Sequence, residues 1–297
     1  MTAMRSLATI RLAAAALVIA ASAALPAHGH EQECDTSTQV LRPVVSMFTL
    51  DVGHASLLDT YMTPIAYHGQ NVRLGYEHFQ ATGFAPLRWT RQLEVGVDYD
   101  HTRNPAGNHT MHSLMLEGRW SMMRRWYNPG GLRGTQLMIG PMTQLRGGAI
   151  YNGNNSNNVA TAKIHWAVGF NAMAVWNTRL LGRRLSLRYE GSLPVAGVFF
   201  SPDYDEAYYE IYEGNHRGLV HLGWWVNRFD FTHALTADWR LGGTTLRLGY
   251  RGRIETSWVN HINTHIFTHA LVIGIGGELL SLRHGKKPRG AVVSPQY

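Results

Sequence analysis

The stretch from Val159 to Phe200 leaves the chain little choice of secondary structure. Ile164, Trp166, Val168, Phe170, Ala172, Ala174 and Trp176 share one parity, whereas Thr161, Lys163, His165, Gly169 and Asn171 take the other. Side chains alternate across a strand, so this segment has a greasy face and a polar face. A tight basic turn, Leu180 to Arg184 with Gly182 at its centre, joins it to a second alternating segment. Trp166 and Trp176 share the greasy face at a separation of about 33 Å along a strand. At a tilt of roughly 45° this is about 23 Å along a membrane normal, close to the spacing of the two aromatic girdles of a transmembrane barrel. The expected fold class is all-β: an antiparallel up-and-down transmembrane β-barrel of about ten strands, within roughly eight to twelve.

The N-terminus points to export. Met1 to Arg11 carries Arg5 and Arg11, an apolar run follows from Leu12 to Leu25, and small residues near Ala24 to Gly29 offer a cleavage site. The apolar run is shorter than the ~20 residues of a spanning helix, and every later apolar run is broken by Arg, Asp, Glu or Gly. The expected organisation is a signal peptide over residues 1–29, a polar leader over 30–43, a barrel domain over 44–284 and a basic, disordered tail from 285 to 297. Such a protein belongs in the bacterial outer membrane, where lipids are its partners. The single Cys34 excludes a disulfide framework within the chain. The net charge of +7 would suit nucleic acid, but the arginines are spread over many strands and no basic cluster interleaves with stacking aromatics. No nucleic-acid partner and no cofactor are expected, and the chain is expected to be a monomer.

Further alternating segments follow in order. Val44 to Leu58 sets Phe48, Leu50 and Val52 against Met47, Thr49 and Asp51. Asn71 to Thr82, Gln92 to Thr102, Thr110 to Trp126 and Thr135 to Ile150 continue the pattern, the last with a kink or bulge expected at Pro141. Leu219 to Arg240 contains another, with Phe229, Phe231, Leu235 and Trp239 against Asp230, Thr232, Thr236 and Asp238, and Thr245 to Ser257 and roughly Thr264 to Leu282 complete the count. With both termini on the periplasmic side, the turns at Gly182 and Gly242 face the periplasm and the loops at Tyr151 and Ser201 face outward.

Between the first two segments lies Leu58, Asp59, Thr60, Tyr61, then Pro64, Tyr67 and Gly69, with Glu77 in the strand beyond. In these residues the chain resembles the bacterial domain of unknown function 3316 family of exported, barrel-like proteins. The resemblance implies a barrel fold and no assigned activity. Read physically, Asp59 and Thr60 are turn and capping residues, and Pro64 with Gly69 ends any regular element. The alternative is that Asp59 and Tyr61 form a polar cluster inside the barrel mouth.

The polar parity is heavily charged. Arg73, Arg119, Arg188, Arg247, Arg251 and Arg253 are placed to pair with Glu77, Glu94, Asp98, Glu117, Glu190 and Asp238 across a lumen of this size. Such a network closes a pore; the alternative is a narrow anion-preferring channel lined by arginine.

Other candidate sites are thinner. His261, His265 and His269 recur every fourth residue, but four residues of strand are about 13 Å, too far for one zinc ion whose ligand nitrogens lie about 2 Å away; no metal is expected there. His233 shares the parity of Phe231 and Leu235, a lipid-side position that suggests a barrel lipid hydrolase, with Thr256 as the nearest hydroxyl and no orienting partner. The loop Ser201 to Arg217 sets Tyr204, Tyr208, Tyr209 and Tyr212 among Asp203, Asp205, Glu206, Glu210 and Glu213. It is a candidate surface for a cation, a glycan or a protein. A structural or surface-binding role is expected before transport, and transport before catalysis.

Overall fold

The computed structural model describes residues 40–155, 158–214, 217–279 and 291–296. The expected signal peptide, the leader up to residue 39 and Cys34 lie outside the described residues. Eleven strand segments run antiparallel: β1 (Val44–Asp59), β2 (Thr63–Ala81), β3 (Trp89–Arg103), β4 (Thr110–Tyr127), β5 (Thr135–Tyr151), β6 (Ala160–Leu180), β7 (Arg183–Phe200), β8 (Val220–Trp224), β9 (Arg228–Leu241), β10 (Thr244–Val259) and β11 (Ile262–Leu279). From β1 to β8 each strand pairs with the next, as do β9 with β10 and β10 with β11; β1 pairs with β11, and β7 pairs with both β8 and β9. The sheet therefore closes into a barrel with ten wall positions, one of them shared by β8 and β9, and the pairing of β1 with β11 joins what would otherwise be the two ends of the sheet; β8 pairs on one side only, with β7.

Burial explains the closure. On β1, Phe48, Leu50 and Val52 are exposed while Met47, Thr49 and Asp51 are buried, so the apolar parity faces out and the mixed parity faces in. The same inversion of an ordinary soluble sheet holds on β6, where Ile164, Trp166, Val168, Phe170 and Trp176 are all exposed and Thr161, His165 and Asn171 are buried. A cross-strand row of outward residues runs over seven neighbouring strands: His112, His101, Gln70, His54, His269, Gly252 and His233. It marks one edge of the apolar band, since Leu114, Tyr99, Val72, Val52, Leu271, Tyr250 and Leu235 are the next outward residues on those strands. We call this end upper.

Inside, the barrel is filled in layers. At the upper end Leu57, Tyr61, Met62, Tyr67, Met111, Met115, Ile150, Ile262 and Ile266 form one apolar cluster. At the lower end Val45, Phe79, Met123, Met138, Met173 and Val175 form another. Charged residues occupy the space between. Methionine, unbranched and flexible, suits the irregular gaps of such an interior.

Three expectations about local structure are corrected. Pro64 and Gly69 do not end a regular element; both lie within β2. Pro64 is the second residue of that strand, where a missing N–H is tolerated. At Gly69 a Cβ would stand 2.1 Å from the His101 carbonyl oxygen, so the glycine admits the neighbouring strand. Pro141 introduces no bulge: the β4–β5 register is the same on both sides of it, with Ser121 opposite Met142 and Arg124 opposite Ile139. The strand expected within Leu219 to Arg240 is β9, which carries Phe229, Phe231, Leu235 and Trp239. The shorter β8 precedes it, and the two are separated by a turn in which the Trp224 N–H donates to Asn227 Oδ1 (2.9 Å) and Asn227 Nδ2 to the Leu222 carbonyl (2.7 Å). Opposite this break β7 carries Pro194, which has no N–H for the ladder. Finally, the tail is ordered where it is described: Leu41 and Val292 form a parallel bridge, and Val293, Ser294 and Gln296 are buried. Residues 280–290 lie outside the described residues.

Candidate functional site

The lumen holds a continuous ion-pair network, built because successive inward positions on strands β1 to β4, β5, β7, β9 and β10 carry charge. Starting at the lower end, Arg247 holds Asp238 (2.6 Å) and Glu77 (2.6 Å). Glu77 also receives Arg188 (2.7 Å), which in turn bonds Glu190. Glu190 lies 3.3 Å from Arg119, and Arg119 bonds Glu94. Glu94 is a junction, for Arg73 (2.9 Å) and Arg251 (2.8 Å) both reach it. Both also approach Asp51, Arg251 at 2.9 Å and Arg73 at 3.7 Å. From Arg73 the network passes to Asp98 (3.6 Å), then to Arg146 (2.9 Å) and Arg253 (3.4 Å), which share Glu117. Arg146 reaches Glu255 at 3.3 Å, and Arg228 ties Glu255 (2.8 Å) to Asp230 (3.0 Å).

All twelve residues expected to pair across the lumen point inward, and the structure brings them into this one network. Sequence reasoning omitted Asp51, Arg146, Arg228, Asp230, Glu255 and His165 from it. The signal was present for Asp51, Asp230 and Glu255, which share the inward parity. Arg146 and Arg228 share the inward parity too: Arg228 meets Asp230 two residues along its own strand and Glu255 on the next, and only the reach of Arg146 to Asp98 and Glu255 depends on strands that are distant in sequence. His165 Nδ1 accepts from Arg228 Nη2 (2.9 Å), while its Nε2 is buried without a protein hydrogen-bond partner, 3.7 Å from Asp230. A cavity of about 10 Å³ beside it, at the β8–β9 break, is bounded by Trp166, Pro194 and Trp224, space for about one water molecule.

The upper end is capped by the stretch expected to be a turn. Asp59 is fully buried and does both jobs: its carbonyl accepts from the Met62 N–H (3.0 Å), its Oδ1 accepts from the Tyr61 N–H (3.1 Å), and its Oδ2 lies 2.6 Å from Lys163 Nζ. Thr60 exchanges bonds with Asn263, donating its N–H to the carbonyl (3.0 Å) and accepting the Asn263 N–H at Oγ1 (2.7 Å). Tyr61 enters the apolar cluster and donates to the Glu206 carbonyl (2.8 Å). Leu58 and Tyr67 pair within the strands on either side, the first with His265 and the second with Leu57.

That contact draws in the loop after β7. A short helix, α1 (Tyr208–Tyr212), turns Tyr208 against the Tyr61 ring edge-on at 5.9 Å. The Tyr208 hydroxyl donates to Thr161 Oγ1 (3.2 Å) and accepts from the Ala162 N–H (2.6 Å). Burial pushes both phenols above the ordinary tyrosine range; neighbouring Tyr208 and Glu206 add to the effect on Tyr61. Of the loop's tyrosines and carboxylates, Glu206 and Tyr208 thus serve the cap. Tyr204, Tyr209 and Tyr212 remain exposed, with Asp203, Asp205, Glu210 and Glu213 around them. Residues 215 and 216 lie outside the described residues.

The lower mouth is closed by the chain's own end. Arg125 Nη1 donates to the Ser294 carbonyl (2.7 Å), Asn177 Nδ2 to the Gln296 carbonyl (3.0 Å), and Gln296 Nε2 to Asp238 (2.6 Å), at the edge of the ion-pair network. Beside it a recess of about 510 Å³ is lined by Gln136, Asn177, Arg179 and Arg184.

The remaining candidates are not brought together. His265 and His269 lie on β11 and His261 in the turn before it. Among the described residues no group of three or more His, Cys, Asp or Glu is arranged to hold a metal. His233 faces out and stacks on Phe231 (5.5 Å), while Thr256 donates to the Phe229 carbonyl (3.3 Å). No helix among the described residues is long and apolar enough to cross a membrane.

Comparison with solved structures finds outer-membrane barrels. The outer membrane protease OmpT of Escherichia coli superimposes with a TM-score of 0.47 at 6% identity, covering 84% of this chain and 99% of its own. The transport unit of the autotransporter AIDA-I of Escherichia coli gives 0.37 at 8%, covering 84% and 93%. The translocator domain of the autotransporter NalP of Neisseria meningitidis gives 0.35 at 10%, covering 92% and 96%. No curated protein matches the chain. A family model does, over residues 10–287, and it includes the motif from Leu58 to Gly69 and nearly every lumen and cap residue described above: the chain belongs to the protein family of unknown function DUF3316.

Proposed function

We propose that this protein is an outer-membrane barrel with a sealed lumen, a structural wall element that displays the loop from Ser201 to Leu219 at the cell surface. The observation that carries the reading is the ion-pair network. An anion channel needs arginines whose field is free to attract the passing ion; here each arginine of the ion-pair network already faces carboxylates at 2.6–3.9 Å or closer. Opening a path would strip buried charges of their partners, at about 3–5 kcal/mol for each. The apolar exterior supports insertion in lipid, because an aqueous barrel with this many exposed Leu, Ile, Val and Trp would aggregate. Closure supports a monomer, since β1 and β11 pair with each other and only the five-residue β8 is paired on one side alone.

Three measurements test this. The detergent-extracted protein from the outer-membrane fraction should migrate faster unboiled than boiled, and a soluble periplasmic protein would remove the reading. In a planar lipid bilayer it should give no current steps, and regular steps would establish the narrow channel instead. Proteolysis of intact cells should cut within the exposed part of the loop around Tyr209 and Tyr212.

A further inference from the structure

His101 and His112 stand directly opposite each other in the β3–β4 ladder, both on the outer face. Their ring centroids are 4.9 Å apart and their Nδ1 atoms 3.4 Å apart. The Tyr99 hydroxyl lies 2.9 Å from the same Nδ1 of His112. Three heteroatoms that ligate metals thus converge on one point of the wall.

The separation is informative. A zinc ion binds imidazole nitrogen at about 2.0–2.1 Å in a tetrahedral shell, which places two ligand nitrogens about 3.3 Å apart. The two histidines hold that edge already, because the antiparallel ladder fixes their backbones and neither ring must move far. Their place on the barrel allows access: Leu114 and Val97 begin the apolar band below them, while Arg103 and Thr110 lie between them and the β3–β4 turn. Neutral imidazole is also the commonest protein ligand for such ions.

We propose that Tyr99, His101 and His112 form a binding site for a divalent transition-metal ion, zinc first, on the outer wall at the upper edge of the apolar band. The two Nδ1 atoms are the ligands, and the phenol oxygen and water complete the shell. The site is independent of whether the lumen is sealed. The other opposed pair in the same row, His54 and His269, is engaged elsewhere: His54 stacks on His68 at 6.2 Å and His269 bonds the Tyr250 hydroxyl. That pair is the internal control.

The test is a calorimetric titration of the full-length barrel in detergent with zinc chloride. One ion per chain is expected, with affinity reduced about tenfold or more in H101Q and in H112Q, a smaller loss in Y99F, where water must replace the phenol oxygen, and no change in the H54Q/H269Q double variant. The variants lie on the outer face, and unchanged heat-modifiable migration shows that each has folded. Wild-type protein that takes up no zinc, an H101Q/H112Q variant that binds as the wild type does, or loss of binding in H54Q/H269Q would each overturn the assignment.

Discussion

The guanidinium of Arg73 lies flat against the backbone of Gly96, so close that a Cβ there would stand 2.4 Å from Nη2, 2.6 Å from Cζ and 2.8 Å from Nε. Gly75 gives way on another side, its own Cβ position being 2.5 Å from Nη1. Two glycines therefore shape the bed in which this fully buried arginine meets Glu94, Asp98 and Asp51.

Gly96→Ala should accordingly pull Arg73 away from its carboxylates. We expect a loss of about 1–3 kcal/mol, seen as a lower temperature for conversion of the fast-migrating band. Gly118→Ala, where a Cβ meets nothing within 4 Å, should leave that temperature unchanged.

Arg146 joins three carboxylates, Asp98, Glu117 and Glu255. Its truncation to Ala should cost about 3–5 kcal/mol, because the carboxylates stay behind in the interior. Adding E255Q to R146A should restore part of the loss. If the double variant is no more stable than R146A, Glu255 is not among the groups left unpaired.

At the cap, Lys163 and Asp59 are unequal partners. Asp59 is fully buried, whereas the Lys163 side chain is 13% exposed. Lys163→Met strands the carboxylate and should cost about 3 kcal/mol; Asp59→Asn leaves an ammonium that still reaches Thr264 Oγ1 (3.2 Å) and should cost less. Denaturant unfolding of the two variants side by side checks the order.

Alkaline pH should loosen the same cap. The Tyr61 and Tyr208 phenols are raised by burial, so the neutral forms are favoured in the fold. Their contribution is complete below about pH 10, the ordinary tyrosine value, and is lost as pH rises through the higher folded values. Phenolate absorbance should show Tyr61 and Tyr208 ionising later in the folded barrel than in the unfolded chain. Cleavage of the loop from Ser201 to Leu219 should increase only above about pH 10, and Y61F, which gives up one hydrogen bond worth about 1 kcal/mol, should not abolish the cap.

What the sequence makes legible is parity. Phe48, Leu50 and Val52 against Met47, Thr49 and Asp51 suffice to say which side of β1 is greasy, and the length between Trp166 and Trp176 suffices to say why. Arg73 can be placed inside by the same argument. Its choice of Glu94 and Asp98 cannot, because that depends on the register of β2 against β3. Pro64 shows the limit of local rules: a residue that normally stops a strand is tolerated where the strand is only beginning. The β8–β9 break is hidden because Trp224, Trp225 and Val226 keep the composition of a strand while Asn227 folds them into a turn. His101 and His112 are separated by a loop, and only the ladder makes them neighbours. The tail gives no periodic signal at all, since its partners are supplied by the barrel.

Those partners are widely spread. Ser294 is held from β4, and Gln296 from β5, β6 and β9, strands that lie along one arc of the wall with β7 between the last two. Residues 294 and 296 therefore find all these partners only once that arc has paired in register. Protease access to residues 291–296 is then a direct gauge of whether this side of the wall has been built.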